Sequence, residues 1–190
     1  MFFKKRSSAL PPRAPVATLS VDEAANPLVK MAVAYWRSVC GQRQFPARAD
    51  LSLRGMAAIL PYAVILSVID AGTDYEFRFV GDAQRQAFKT SFRGMRVMQI
   101  EAAAPQLGAM LREVYELARS RGAPFIVRGR NAADPADSNL LYHETVFLPL
   151  GASDGAVDHL LVVGVQIPEP FWDLSVAKLA DLTEQIRVPL

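Results

Sequence analysis

The chain has few of the residues that build disulfides and metal sites. Its 190 residues include one cysteine and two histidines. Cys40 has no second cysteine to pair with, and no local spacing with His143 or His159 would build a tetrahedral zinc site. We therefore predict no metal site, and we interpret Cys40 as a small apolar residue of a helix.

Long apolar runs are also missing. The longest, residues 56–69, is interrupted by Pro61, whereas a membrane-spanning helix needs about 20 apolar residues. The N-terminus has basic residues but no continuous apolar stretch behind them, so it does not match a secretory signal. These absences predict no membrane span and a cytoplasmic protein.

The charge is nearly balanced over the whole chain but not along it. The net charge is +2, yet residues 1–60 contain nine Lys and Arg against three acidic residues. The basic side chains are scattered and lack the interleaved aromatic residues that stack on bases, which favours a solvated surface over a nucleic-acid site. With 51% hydrophobic and 21% charged residues, the composition is typical of a globular domain.

Recognisable catalytic motifs are absent. The sequence has no G-x-S-x-G, no phosphate-binding loop and no G-x-G-x-x-G. His143 and Glu144 are adjacent acid–base candidates, and on a predicted strand they point to opposite faces. We predict a non-enzymatic protein, and a small α+β isomerase or hydrolase with a cone-shaped cavity stays open as an alternative.

Proline, asparagine and glycine divide the chain into three parts. Residues 1–25 are predicted to be a mobile, basic, proline-rich tail, 26–168 a single domain, and 169–190 a C-terminal amphipathic helix centred on 172–187. Asn26 and Pro27 favour the start of a helix that ends at Gly41. A second, short helix is predicted over 52–59, before Pro61.

The middle of the chain has the pattern of an α+β domain. Residues 62–69 and the alternating stretch from Tyr75 predict a strand hairpin. A short helix over 82–88 and a long helix from Pro105 to Gly122 follow, and the long helix is expected to lie across the sheet. Residues 124–130, 140–150 and 157–167 then predict an antiparallel three-stranded meander.

Several short motifs accompany this order of elements. They are YWRS at 35–38, P-x-R-x-D at 46–50, FRFVG at 77–81, FRG at 92–94, RGR at 128–130 and FLPL at 147–150. Over residues 28–167 the chain resembles a PAS domain, in particular a bacterial, alphaproteobacterial subfamily of largely unassigned function. The resemblance implies a five-stranded antiparallel sheet with helices on one face, flanking N- and C-terminal helices, and a sensory or regulatory role.

The resemblance also bears on cofactors. Some PAS proteins hold haem through a histidine on or just before the long helix, whereas His143 and His159 lie on predicted strands. Light-sensing members need a cysteine on a helix after the hairpin, and Cys40 precedes the first strand. Haem and flavin are both disfavoured, so no cofactor is predicted.

The PAS geometry also suggests where a ligand would bind. The helices after the hairpin fold over the sheet and can leave a cavity, for which the candidate lining residues are Phe88, Phe92, Met98, Leu111 and Tyr115. The expected ligand is a small hydrophobic or aromatic metabolite. The alternative is a protein-interaction adaptor whose core is filled by these same side chains.

The flanking helices of PAS proteins commonly pair with a second copy or contact a signalling partner. We therefore expect a homodimer and a signalling or regulatory protein partner. The charged residues within the family motifs are a second set of candidate site residues, with surface ion pairs as the alternative explanation. These residues are Arg48, Asp50, Arg78 and Arg128.

Overall fold

A five-stranded antiparallel sheet forms the centre of the chain. The computed structural model describes residues 17–88, 90–132, 140–151 and 155–168. The strands are β1 (Ala63–Ile69), β2 (Asp74–Val80), β3 (Phe125–Ala132), β4 (Leu140–Gly151) and β5 (Val157–Pro168). They lie in the order β2-β1-β5-β4-β3, so β2 and β3 are the edges. The predicted α+β class and antiparallel sheet are confirmed.

The register follows from one hairpin and one meander. Ile69 pairs with Asp74 where β1 turns into β2. In the meander β3, β4 and β5 pair consecutively, and β5 then returns beside β1, where Val163 pairs with Ala63. Because β1 and β5 are both central, their sequences are almost wholly apolar, as expected for strands covered on both faces.

Four helices lie within the described residues: α1 (Pro27–Cys40), α2 (Asp82–Phe88), α3 (Val97–Ala103) and α4 (Pro105–Arg121). Asn26 caps α1 by accepting a hydrogen bond from the backbone N–H of Leu28 at 2.9 Å. Gly41 at φ 62° ends α1 and Gly122 at φ 56° ends α4, both in conformations that favour glycine. The predicted bounds of these two helices are confirmed.

The helices cover both faces of the sheet. Ala63 and Ile65 of β1 belong to an apolar cluster with α1, whereas the alternating residues Val64 and Leu66 belong to a cluster with α3 and α4. We call these the α1 face and the α4 face. The long helix α4 contacts β2, β4 and β5, so it crosses the sheet as predicted.

The helix predicted over 52–59 is wrong. This segment consists of turns, and its backbone hydrogen bonds mix three- and four-residue spans. Tyr35 fixes the local path, since its hydroxyl oxygen accepts a hydrogen bond from Ser52 N at 2.8 Å. A Cβ at Gly55 would lie 2.5 Å from the ring of Tyr35, so the chain packs tightly against α1 here instead of coiling.

The predicted N-terminal tail is too long. Leu19 pairs with Ile126 of β3 through two backbone hydrogen bonds of 2.8 and 3.0 Å. Residues 21–23 form a 3₁₀ turn, and Val21 and Ala24 pack against the α1-face cluster. Residues 17–25 therefore belong to the domain. The rest of the predicted tail and the predicted C-terminal helix lie outside the described residues.

Candidate functional site

The space between the α4 face and the helices is occupied by aromatic rings. Tyr115 of α4 lies among the rings of Tyr75, Phe77 and Phe147, with ring centroids 5.5, 6.2 and 6.3 Å away. These separations are typical of favourable aromatic pairs. Burial raises the pKa of the Tyr115 phenol, so its hydroxyl stays neutral in this apolar surrounding.

The structure brings together four of the five predicted cavity residues. Phe92, Leu111 and Tyr115 are buried in the α4-face cluster, and Phe88 is partly buried against it. The rings of Phe88 and Phe92 are 5.4 Å apart. Met98 does not lie with them, because it is 56% exposed on the outer side of α3. The helical pattern of α3 directs Val97 and Ile100 inward, which leaves Met98 in solvent.

Three polar side chains lie at one end of the α4 face, where Gln84 of α2 reaches the sheet. Gln84 of α2 is buried, and its Nε2 donates to the carbonyl oxygens of Tyr62 and Gly164 at 2.9 and 2.6 Å. A Cβ at Gly164 would lie 2.8 Å from Thr145 Oγ1 and 3.3 Å from Gln84 Nε2. The absent side chain at Gly164 therefore lets Thr145 and Gln84 approach the same point on the sheet.

His143 extends this polar group toward the edge of the sheet. It shares a face of β4 with Thr145, and its Nε2 would lie 2.6 Å from a Cβ at Gly129 of β3. Burial lowers the pKa of His143, which keeps the imidazole neutral with one donor and one acceptor nitrogen. We call Gln84, Thr145 and His143 the polar strip.

Unused hydrogen-bonding groups remain along the polar strip. Within the part of the chain that the structure describes, the imidazole of His143 and the hydroxyl of Thr145 make no hydrogen bond, and Gln84 Oε1 accepts none. Phe147 follows Thr145 on the same face of β4 and contacts the ring of Tyr115. The strip thus places hydrogen-bond donors and acceptors beside the buried aromatic cluster.

The four charged motif residues do not form one site. Arg48 and Asp50 share an exposed turn, in which Asp50 pairs with Arg43 at 2.7 Å. The hydrogen bond from Ala47 N, followed by that from Arg43, lowers the pKa of Asp50. These contacts hold the turn in shape, as expected for surface ion pairs.

The other two motif residues lie on opposite edges of the sheet. Arg78 of β2 is exposed and pairs with Glu76 at 2.6 Å. Arg128 of β3 differs from the other three, because its partner Glu144 is fully buried on the α1 face at 2.9 Å. The prediction that His143 and Glu144 point to opposite faces is confirmed by the contacts each makes.

Several residues of this region were not predicted from the sequence. Strand alternation places Tyr75, Phe77 and Phe147 on one face, so the sequence could have predicted that these aromatic residues line the α4 face. Gln84 and Thr145 gave no such signal, since their approach depends on the hydrogen bond that Gln84 of α2 makes to Gly164 of β5.

Neither a membrane-spanning helix nor a metal site is found among the described residues. Among them no helix is long and apolar enough to cross a membrane. In the same part of the chain no three His, Cys, Asp or Glu residues come together as metal ligands. The single cysteine, Cys40, is buried at the end of α1 with its Sγ 2.8 Å from the carbonyl oxygen of Arg43.

Comparison with known proteins agrees with the fold. A family model described as PAS domain matches residues 25–165, which contain α1 to α4, β1 to β4 and most of β5. The chain therefore belongs to the PAS domain family. None of the curated proteins compared with the chain matches it.

Proposed function

We propose that the chain is a non-enzymatic sensory or regulatory PAS module that binds a small aromatic metabolite at the polar strip. The observation that carries this proposal is the set of unused hydrogen-bonding groups on Gln84, Thr145 and His143 beside the aromatic cluster. Among the described residues these groups are not buried without a partner, so solvent reaches them, and a ligand that bonds several of them at once replaces the water there.

The chemistry of the strip defines the class of ligand. Because the His143 imidazole is neutral, the strip carries no formal charge and suits an uncharged molecule better than an ion. Thr145 and His143 can each donate and accept, and Gln84 Oε1 can accept. A planar ring bearing an amide or hydroxyl group meets these requirements, and its ring would contact the aromatic side chains nearby.

The test uses benzamide as the probe, because it combines a ring with a neutral amide. Benzamide at saturating concentration is expected to raise the melting temperature by about 3 °C, the shift for a stabilisation of about 1 kcal/mol. His143→Leu and Thr145→Val should abolish the shift. His159→Leu, on β5 beside Asp158, is the matched control and should retain it. No shift with benzamide, benzyl alcohol or phenol would contradict the proposal.

A second candidate function is favoured by the surface of α1. Met31 of α1 and Leu53 are 40% and 72% exposed. The hydrogen bond from Ser52 N to the Tyr35 hydroxyl holds the segment of Leu53 beside α1, so the two side chains belong to one surface. The rings of the α4 face also pack against one another, as expected for a filled core. On this proposal the protein is an adaptor that forms a homodimer, or contacts a signalling partner, through the exposed apolar surface of α1.

Sedimentation equilibrium tests the adaptor proposal. Leu53→Gln combined with Met31→Gln is expected to shift a dimer to monomer, whereas the neighbouring exposed change Arg54→Gln should not. A wild-type protein that stays monomeric up to millimolar concentration would contradict homodimerisation. For either function we propose a cytoplasmic location and membership of the bacterial subfamily that the motif at 35–38 indicates.

A further inference from the structure

Glu144 is a fully buried carboxylate that holds the start of α1. Its Oε1 accepts hydrogen bonds from the backbone N–H groups of Ala25 and Asn26 at 3.0 and 3.1 Å. Its Oε2 accepts from Arg128 Nε at 2.9 Å and from the hydroxyl of Tyr142. A side chain of β4 therefore accepts the hydrogen bonds of the two backbone N–H groups that precede the first turn of α1.

Arg128 strengthens the same connection from the edge strand. Besides pairing with Glu144, its guanidinium donates to the carbonyl oxygen of Glu23, which lies in the turn leading into α1. The Arg128 side chain is 30% exposed and that of Glu144 is 0% exposed. The buried carboxylate thus depends on a partner that solvent can reach.

A buried ion pair is not an efficient way to stabilise a fold. The cost of removing two charges from water is commonly as large as their attraction, so an apolar pair would serve stability equally well. The carboxylate does suit one local task, since negative charge is favourable near the N-terminus of a helix. Glu144 Oε1 accepts its hydrogen bonds from residues 25 and 26, whereas Oε2 accepts from Arg128 and Tyr142 of the sheet, so the carboxylate joins the start of α1 to β3 and β4.

The two ends of α1 are held by different contacts. At the far end, Trp36 Nε1 donates to the carbonyl oxygen of Pro149 at 2.8 Å within the apolar cluster. At the near end, Leu28 and Val29 are fully buried in the same cluster, and the polar contacts of residues 19–26 include the Glu144 hydrogen bonds and the pairing of Leu19 with Ile126. Loss of the Glu144 charge weakens the polar attachment at this end and leaves the Trp36 end in place.

We propose that Glu144 and Arg128 form a charge-dependent latch that sets how often residues 19–30 open from the sheet. With both charges present the start of α1 stays docked. When either charge is neutralised, residues 19–30 open more often, while the sheet and the Trp36 end of α1 remain folded. This inference is independent of whether a ligand binds the polar strip.

Hydrogen–deuterium exchange of the full chain tests the latch. Glu144→Gln keeps the size of the side chain but removes its charge, and it is expected to speed exchange of the amides of residues 19–30 by about 10- to 100-fold. Arg128→Met should act in the same direction, and Arg128→Lys, which keeps the charge, should lie between it and the wild type. Amides of β1 and β5 should change less than about twofold.

A matched control separates the latch from a general loss of stability. Glu113→Gln removes an exposed carboxylate from α4 and should leave exchange of residues 19–30 unchanged. The proposal is overturned if Glu144→Gln leaves residues 19–30 protected, or if exchange rises equally in β1 and β5. If Glu144→Gln does not fold, the comparison of Arg128→Lys with Arg128→Met decides between the same outcomes.

Discussion

Replacement of Gly108 in α4 by alanine tests the packing of the helices on the α4 face. Intrinsic helix propensity alone predicts that Gly108→Ala stabilises the protein by about 1 kcal/mol. The structure predicts the opposite sign. A Cβ at this position would lie 2.5 Å from the backbone nitrogen of Glu101 in α3, with the Cα and Cβ of Glu101 also closer than 3.0 Å.

The magnitude follows from what would have to move. The obstacle is the backbone of α3 and not the end of a flexible side chain, so the cost belongs at the upper part of the overpacking range, about 3 kcal/mol. After the gain in propensity, the net loss is about 2 kcal/mol, or a fall of about 4–8 °C in melting temperature for a protein of this size.

Urea and thermal unfolding followed by circular dichroism measure this loss. The matched control is Ala109→Gly at the exposed neighbouring position of α4, which should cost about 1 kcal/mol through propensity alone. A Gly108→Ala protein as stable as the wild type would refute the close approach of α3 and α4.

Two further predictions concern carboxylates. Asp74 is buried, and its Oδ1 accepts from the backbone N–H groups of Tyr75 and Met98, but within the described residues its Oδ2 has no partner. Asp74→Asn keeps Oδ1 and removes the charge, so we expect unfolding in urea to show equal stability or a gain of about 1 kcal/mol; a loss of that size would contradict this. The hydrogen bond from Arg119 lowers the pKa of Glu116 below its ordinary value of 4.5. Since the Glu116 carboxyl is more acidic in the folded state, its contribution to stability is present above the unfolded pKa and is lost as the pH falls through the folded pKa. Glu116→Gln should therefore lessen the loss of urea stability between about pH 5 and pH 3. An unchanged pH profile would argue against the pair of Glu116 with Arg119.

Some of the fold could be predicted because its signals are local. Asn26 bounds α1 through its capping side chain and Gly41 through a backbone with positive φ, and both effects depend only on neighbouring residues. The alternation of β2 and the apolar runs of β1 and β5 likewise follow from strand geometry. The helix predicted over 52–59 failed because the packing of Gly55 against Tyr35, a contact distant in sequence, determines that segment.

The candidate site was less predictable than the fold. Four of the five proposed cavity residues lie together because the large apolar residues of α2, of the loop that follows it and of α4 face the sheet whatever their exact neighbours. Met98 was misplaced since the rotation of the short helix α3 is set by Val97 and Ile100. Position along the chain also gave no indication that Glu144 holds residues 25 and 26, from which it is separated by more than a hundred residues.

The sequence by itself determined the class of the domain, since the periods of strands and helices and the residues that end them are properties of short segments. Only the tertiary structure decided which side chains come together: the rings around Tyr115, the polar strip at Gly164, and the carboxylate of β4 that binds the start of α1. The physical reason is that such contacts depend on the crossing of helices over strands and on the space left by single glycines, and neither is encoded in any one segment.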